Sequence, residues 1–190
     1  MHLISLNTAS ALTGIAKRTL WRYIQDGRLK TACDLSGAKT HVELTDALAL
    51  NATQLTSEQI SLALAADSGD AIAQCELALW LLDCQRLTLA RDWFAQSARS
   101  GYPDAMCWLA RAYLTGEGVE LNLETGVQWL DKAAHKGHPL GQALHQFLHS
   151  PTGQELLHAQ NQTALNQALD DLERHVILNT LNEMADTAST

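Results

Sequence analysis

The feature that most constrains the fold of this chain is an internal repeat with a period of about 36 residues. Gly101 and Gly137 are separated by this interval, and similar residues precede each of them. Each copy contains two amphipathic segments, with small alanines where helices would touch and a glycine at the end of the second segment. Such copies bury their apolar faces by stacking on their neighbours, which predicts an α-solenoid. The aligned segments are Leu89–Gly101 with Thr125–Gly137, and Ala73–Leu82 with Ala105–Leu114.

The loop between the two helices of one copy makes the pattern more specific. Tyr113–Val119 reads YLTGEGV, and it is followed by Trp129 and by Ala133–Gly137. This pattern resembles the Sel-like repeat, a relative of the tetratricopeptide repeat, over roughly Thr56–Ser150. The copy that begins near Gly69 is four residues shorter and lacks the glycine-rich loop. The resemblance implies a concave scaffold for an unidentified protein partner.

The tryptophans of the repeats are candidates for that partner surface, because desolvated tryptophan contributes strongly to protein interfaces. Trp93 and Trp129 occupy equivalent repeat positions, which favours a packing role for both. Trp108 is replaced by Glu76 and Leu144 in the neighbouring copies. We therefore predict Trp108 as a partner-binding residue.

The first fifty residues predict a second kind of module. Asn7 or Thr8 can cap a first helix that runs through Leu12, and Gly14 can end it in a left-handed turn. Ala16–Gln25 then has the spacing of a second helix. Its buried face contains Leu20, Tyr23 and Ile24, and its other side contains Lys17, Arg18, Thr19, Trp21 and Arg22.

Two helices of this kind, separated by a glycine turn and closed by Asp26-Gly27, predict a helix-turn-helix that presents cations to a DNA major groove. The run from Leu6 to Leu29, notably Lys17–Ile24 and Asp26–Leu29, resembles the winged helix-turn-helix of the MerR and phage-excisionase type, with a wing at Gly37–Val42 and a closing helix that starts at Asp46–Leu48. The resemblance implies a transcriptional regulator that binds double-stranded DNA. The predicted DNA-binding residues are Lys17, Arg18, Thr19, Trp21, Arg22, Arg28 and Lys39.

Charge is distributed unevenly along the chain. The first fifty residues contain six Lys or Arg and four Asp or Glu, whereas the whole chain has a formal net charge of −8. DNA binding by an otherwise acidic protein must be local and sensitive to salt. The alternative is that these cations only solubilise the module, in which case the protein is a protein–protein interaction adaptor whose helix-turn-helix does not bind DNA.

The predicted fold class is mainly α, with a small N-terminal winged helix-turn-helix, a short α-solenoid and a C-terminal amphipathic helix. The predicted domain limits are 1–50 for the helix-turn-helix, 51–56 for a linker, 57–150 for the repeats and 151–190 for the C-terminal helix and tail. Within 163–184, apolar residues recur at helical spacing. They predict either a cap on the last repeat or a homodimer interface, formed by Leu165, Leu169, Leu172 and Val176.

Catalytic chemistry has little support in this sequence. His145 and His149 lie four residues apart, but no cysteine or carboxylate joins them at the spacing of a metal motif. Gly116-Glu117-Gly118 is a turn of the repeat and lacks the context of a phosphate-binding loop. We therefore expect no enzyme activity, catalytic residue, metal or cofactor.

The sequence has no apolar segment long enough for a membrane span or a signal peptide, and Cys75 and Cys107 lie on apolar helix faces. We therefore expect a cytoplasmic protein with reduced thiols.

Overall fold

The computed structural model describes residues 2–33, 40–159 and 161–188, and these form two compact units, Met1–Trp93 and Phe94–Thr190. The mainly helical fold class is confirmed. The first unit contains β1 (Leu3–Ser5), α1 (Leu6–Thr13), α2 (Lys17–Gln25), β2 (Thr31–Cys33), β3 (Thr40–Glu43), α3 (Leu44–Ala49), α4 (Ser57–Asp67), α5 (Ala71–Asp83) and the start of α6 (Leu87–Arg99). The second contains the end of α6, α7 (Pro103–Thr115), α8 (Leu123–His135), α9 (Pro139–His149), α10 (Pro151–His158) and α11 (Gln162–Ala188).

A small sheet accompanies the two N-terminal helices. β3 is its central strand and pairs antiparallel with β1 on one side and β2 on the other. The order of elements in this region is a strand, two helices, two paired strands and a short helix, and the winged helix-turn-helix stays a prediction. Residues 34–39, which include Lys39 and the first half of the predicted wing, lie outside the described residues.

The start of α1 differs from the sequence prediction. Ser5, rather than Asn7 or Thr8, is the N-cap, and its hydroxyl accepts a hydrogen bond from the Thr8 N–H. The carboxylate of Asp67, at the end of α4, accepts hydrogen bonds from the Ser5 N–H and from both the Ser5 and Thr8 hydroxyls. A carboxylate at a helix N-terminus also interacts favourably with the helix dipole. This long-range contact explains why the helix begins earlier than the local pattern indicates.

The other end of α1 is held by two residues from later parts of the chain, Asn51 and Arg86. Gly14 adopts φ +70° and ends the helix as predicted. Arg86 donates from Nη1 to the Ala11 carbonyl oxygen at 2.6 Å, and Asn51 donates from Nδ2 to the Thr13 carbonyl oxygen at 2.7 Å. Both side chains satisfy carbonyl groups that lack partners inside the helix.

The hydrophobic core of the first unit joins α1, α2 and β3 to α4 and α5. Leu12, Leu20 and Val42 lie in one buried cluster with Ala63 of α4, and Trp80 of α5 packs against that cluster. The first unit is therefore one compact body. The domain limits at residues 50 and 56 remain predictions.

The glycines predicted to end successive copies of the repeat share one backbone conformation. Gly69 of the first unit and Gly101 and Gly137 of the second all have positive φ, at +101°, +93° and +77°. Glycine permits this conformation without the steric penalty that a side chain would incur. Gly141 allows α9 to approach α8, since an added Cβ would lie 2.8 Å from the Cβ of Ala133. Within the part of the chain that the structure describes, no helix combines the length and apolar character needed to cross a membrane.

The C-terminal region contains two helices where the sequence pattern predicted one. α10 precedes α11, and the long helix spans 27 residues. Its first half packs on α9 and α10, and Leu165 and Leu169 are buried there. Leu172 and Val176 are half-buried, and beyond them Ile177, Leu178 and Leu181 are exposed.

Candidate functional site

An apolar groove opens between α7, the start of α9 and the second half of α11. We call it the α7–α11 groove and define it by Asp104, Cys107, Trp108, Arg111, His138, Leu140, Glu173, Val176, Ile177 and Leu181. Its volume is 410 Å³, which lies in the range of ligand-binding cavities. All of these residues belong to the second compact unit.

One end of the groove is fixed by an ion-pair cluster. Arg111 of α7 donates to the carboxylates of Asp170 and Glu173 on α11. Burial lowers the pKa of Arg111, but the hydrogen bonds and negative charges of the two carboxylates outweigh it and raise this pKa above its ordinary value. Arg111 is therefore charged at every physiological pH. The nearby Gln162 donates to the Leu114 carbonyl oxygen at 2.6 Å, which adds a further bond between α7 and α11.

The other end contains a chain of polar side chains. The Gly141 N–H donates to Nδ1 of His138 at 3.2 Å, so this nitrogen acts as an acceptor and the His138 side chain caps α9. Nε2 then donates to Oδ1 of Asp104 at 3.0 Å. The sulfur of Cys107 lies 3.5 Å from Nδ1. This arrangement links α7 to α9 and leaves the Asp104 carboxylate at the groove.

Trp108 lines the groove, and its partner-binding role stays a prediction. Its ring stacks on Phe94 with centroids 5.8 Å apart, and the side chain retains 36% of its full exposure. The two tryptophans predicted to be packing residues differ from it. Trp93 is buried, and Trp129 is half-buried beneath the ammonium group of Lys132, which lies 4.0 Å from the ring centroid.

The exposed wall of the groove comes from α11. Ile177 and Leu181 are four residues apart and therefore lie on one face of the helix. Both are more than half exposed, which is unusual for adjacent bulky apolar side chains. The sequence pattern alone does not predict that Trp108 of α7 lines the same groove as these two residues.

The predicted DNA-binding residues form a separate surface in the first unit. Lys17, Arg18, Trp21 and Arg22 are exposed on α2, and Thr19 is half-buried beside them. Leu20 faces the core, so the division of α2 into a buried and a cationic face is as expected.

Two other predicted DNA-binding residues have different positions. Arg28 is exposed beyond the end of α2, and its guanidinium carbon lies 4.2 Å from the centroid of the Tyr23 ring. This cation–π contact holds the Arg28 side chain against the half-buried ring of Tyr23. Lys39 lies outside the described residues.

The two histidines at the end of α9 contact each other, and one of them also contacts α8. The rings of His145 and His149 are 4.2 Å apart, and Nε2 of His145 lies 3.4 Å from the carboxylate of Asp131. In the described ranges, no three His, Cys, Asp or Glu side chains are grouped so that they could hold a metal ion.

Comparison with known proteins identifies the repeats. The model of the Sel1 repeat matches residues 71–102 and 103–138. The first match covers the copy that lacks the glycine-rich loop, so this divergent copy matches the model as well. The two matches support the predicted Sel-like repeats, and Sel1 repeats indicate a protein–protein interaction domain.

One solved structure is similar over much of the chain. It is the crystal structure of a Sel1 repeat protein from Oxalobacter formigenes, with 24% sequence identity and a TM-score of 0.42, and the match covers 74% of this chain and 92% of that one. The comparison with curated proteins found no match.

Proposed function

We propose that this protein is a protein–protein interaction adaptor, in which the Sel1-repeat region binds a partner protein at the α7–α11 groove. The observation that supports this best is the exposed apolar surface of the groove, where Trp108, Ile177 and Leu181 surround a cavity of 410 Å³. Aromatic and aliphatic side chains in such a cavity are the usual anchors of protein interfaces. The buried thiols of Cys75 and Cys107 fit a reducing compartment, so we place this function in the cytoplasm.

A second function, DNA binding, is favoured by one specific observation. Three cations and Trp21 are exposed on α2, which is the second helix of the predicted helix-turn-helix. That helix is the one that enters the major groove in helix-turn-helix proteins. In this proposal the first unit contacts double-stranded DNA and the repeats recruit or receive a partner, as in a transcriptional regulator.

The adaptor function predicts that Trp108→Ala greatly reduces partner capture by the full-length protein. Truncation of an interface tryptophan commonly costs about 2–4 kcal/mol, so recovery of a specific partner should fall by about tenfold or more. The measurement is quantitative mass spectrometry of proteins captured from a lysate.

The matched control is Trp21→Ala, which removes a tryptophan of comparable exposure, 46%, from the other unit. Proteins whose recovery falls with Trp108→Ala but not with Trp21→Ala are the expected result. Thermal denaturation must show that both variants remain folded, because Trp108 also stacks on Phe94. Equal recovery with the wild type and Trp108→Ala would show that the groove does not bind the partner.

A further inference from the structure

We propose that the segment bound in the α7–α11 groove is an amphipathic helix of the partner that has lysine or arginine beside its bulky apolar residues. This inference rests on the proposed adaptor function and specifies the chemistry of the partner. It follows from three properties of the groove: the spacing of its apolar wall, its volume and the sign of its charge.

The apolar wall has the geometry of a helix surface. Ile177 and Leu181 are separated by one turn of α11, a distance of about 6 Å along the axis. Trp108 and Leu140 lie on the opposite side of the groove. A partner helix with apolar residues at positions i, i+3 or i+4 has the same axial spacing and can place them between these two sides. The 410 Å³ volume accommodates a few bulky side chains while the rest of such a helix stays outside.

The charge of the groove favours a cationic ligand. Asp104 and Glu173 line it, and Asp170 stands beside Glu173 at its edge. Among the described lining residues Arg111 is the one Lys or Arg, and its charge is already matched by its two carboxylates. Since His138 donates Nε2–H to Asp104 while accepting at Nδ1, it is neutral in this arrangement. Three carboxylates and one guanidinium leave a net charge of −2.

The surrounding unit strengthens this preference. Residues 94–190 contain five Lys or Arg and eleven Asp or Glu. An approaching acidic helix would be repelled at long range and would place its carboxylates near Asp104 and Asp170, whereas a basic helix would be attracted. The two half-exposed carboxylates, Asp104 and Asp170, remain accessible to a lysine or arginine at the groove mouth.

Binding of two designed peptides tests this inference. Both are fluorescein-labelled helices of roughly 15 residues with the same leucine and tryptophan positions. One has lysine and arginine on its polar positions and the other has glutamate and aspartate. With the full-length protein, fluorescence polarisation should show at least about tenfold tighter binding of the basic peptide, and its affinity should fall as salt is added.

A matched pair of variants locates the binding surface. The double variant Ile177→Ala with Leu181→Ala should bind the basic peptide with about tenfold lower affinity than the wild type does. The control is the double variant Ile72→Ala with Leu121→Ala, which removes two apolar side chains outside the groove. Their exposure is similar, since Ile177 is 54% exposed and Ile72 is 53% exposed. This control should leave the affinity for the basic peptide unchanged. Alanine is suited to Ile177, Leu181 and Ile72, which are exposed helical positions, because it removes the apolar contact while preserving helix propensity and adding no charge. Leu121 lies between α7 and α8, where alanine likewise adds no charge.

Three results would overturn the inference. Equal affinity for the two peptides would show that charge does not select the ligand, and equal weakening by the two double variants would place binding elsewhere. Concentration-dependent self-association that is lost only in Ile177→Ala with Leu181→Ala would show that a second copy of this chain occupies the groove. If either peptide result fails while Trp108→Ala still abolishes partner capture, the adaptor function stands and only the predicted partner chemistry is wrong.

Discussion

A full-length variant in which Lys17, Arg18 and Arg22 are all replaced by alanine should lose about 100-fold or more of its affinity for duplex DNA. Each contact from these side chains to phosphate or to a guanine contributes on the order of 1 kcal/mol or more. Removing three phosphate contacts should also reduce the slope of log affinity against log salt by about 2–3. A fluorescence anisotropy titration over a salt series measures both quantities.

The control for this variant changes net charge by the same amount. Arg99, Lys132 and Lys136 are exposed in the second unit and are replaced together by alanine. If α2 forms the DNA-binding surface, this control should bind DNA almost as the wild type does. Equal losses in the two triple variants would indicate an unspecific charge effect, and wild-type binding by the α2 variant would refute this surface. Circular dichroism checks that both variants are folded.

The replacement Leu169→Glu should severely destabilise the second unit, by about 3 kcal/mol or more. Leu169 is 1% exposed where α11 packs on the preceding helices, and a carboxylate there would lose its hydration without gaining a partner. Leu178→Glu is the matched control, because it changes the same residue type on the same helix at a site that is 52% exposed. Chemical denaturation should show a large decrease in stability for the first variant and little change for the second.

The same pair distinguishes the two roles predicted for the C-terminal helix. Burial of Leu165 and Leu169 within the chain agrees with a cap on the repeats. A homodimer interface remains a proposal for the half-buried Leu172 and Val176. Light scattering that shows a folded monomer of Leu169→Glu with unchanged stability, from a dimeric wild type, would contradict the cap and support the interface.

Local patterns in the sequence were sufficient to predict the repeat and the division of α2 into a buried face and an exposed cationic face. The left-handed glycines that end each copy have a direct signature, because few other residues adopt positive φ easily. The exposed cations of α2 follow from the helical period around the buried Leu20.

Features that depend on distant residues were not predictable in this way. The N-cap of α1 moved to Ser5 because Asp67, more than sixty residues away, accepts its hydrogen bonds. The contact of Arg86 with the Ala11 carbonyl oxygen has no local signal either. The α7–α11 groove depends on the ion pairs of Arg111 with two carboxylates about sixty residues further along the chain. The sequence therefore singled out Trp108 as a candidate but could not predict which residues of α11 line the groove with it.

A partner protein bound in the α7–α11 groove should protect the helices that line it from amide exchange. Hydrogen–deuterium exchange of the full-length protein, alone and saturated with a captured partner, measures this protection. Exchange should slow in α7, at the start of α9 and in the second half of α11, and it should be unchanged in α1–α3. Slower exchange confined to α1–α3, with no change around Trp108, would show that the partner does not bind the groove.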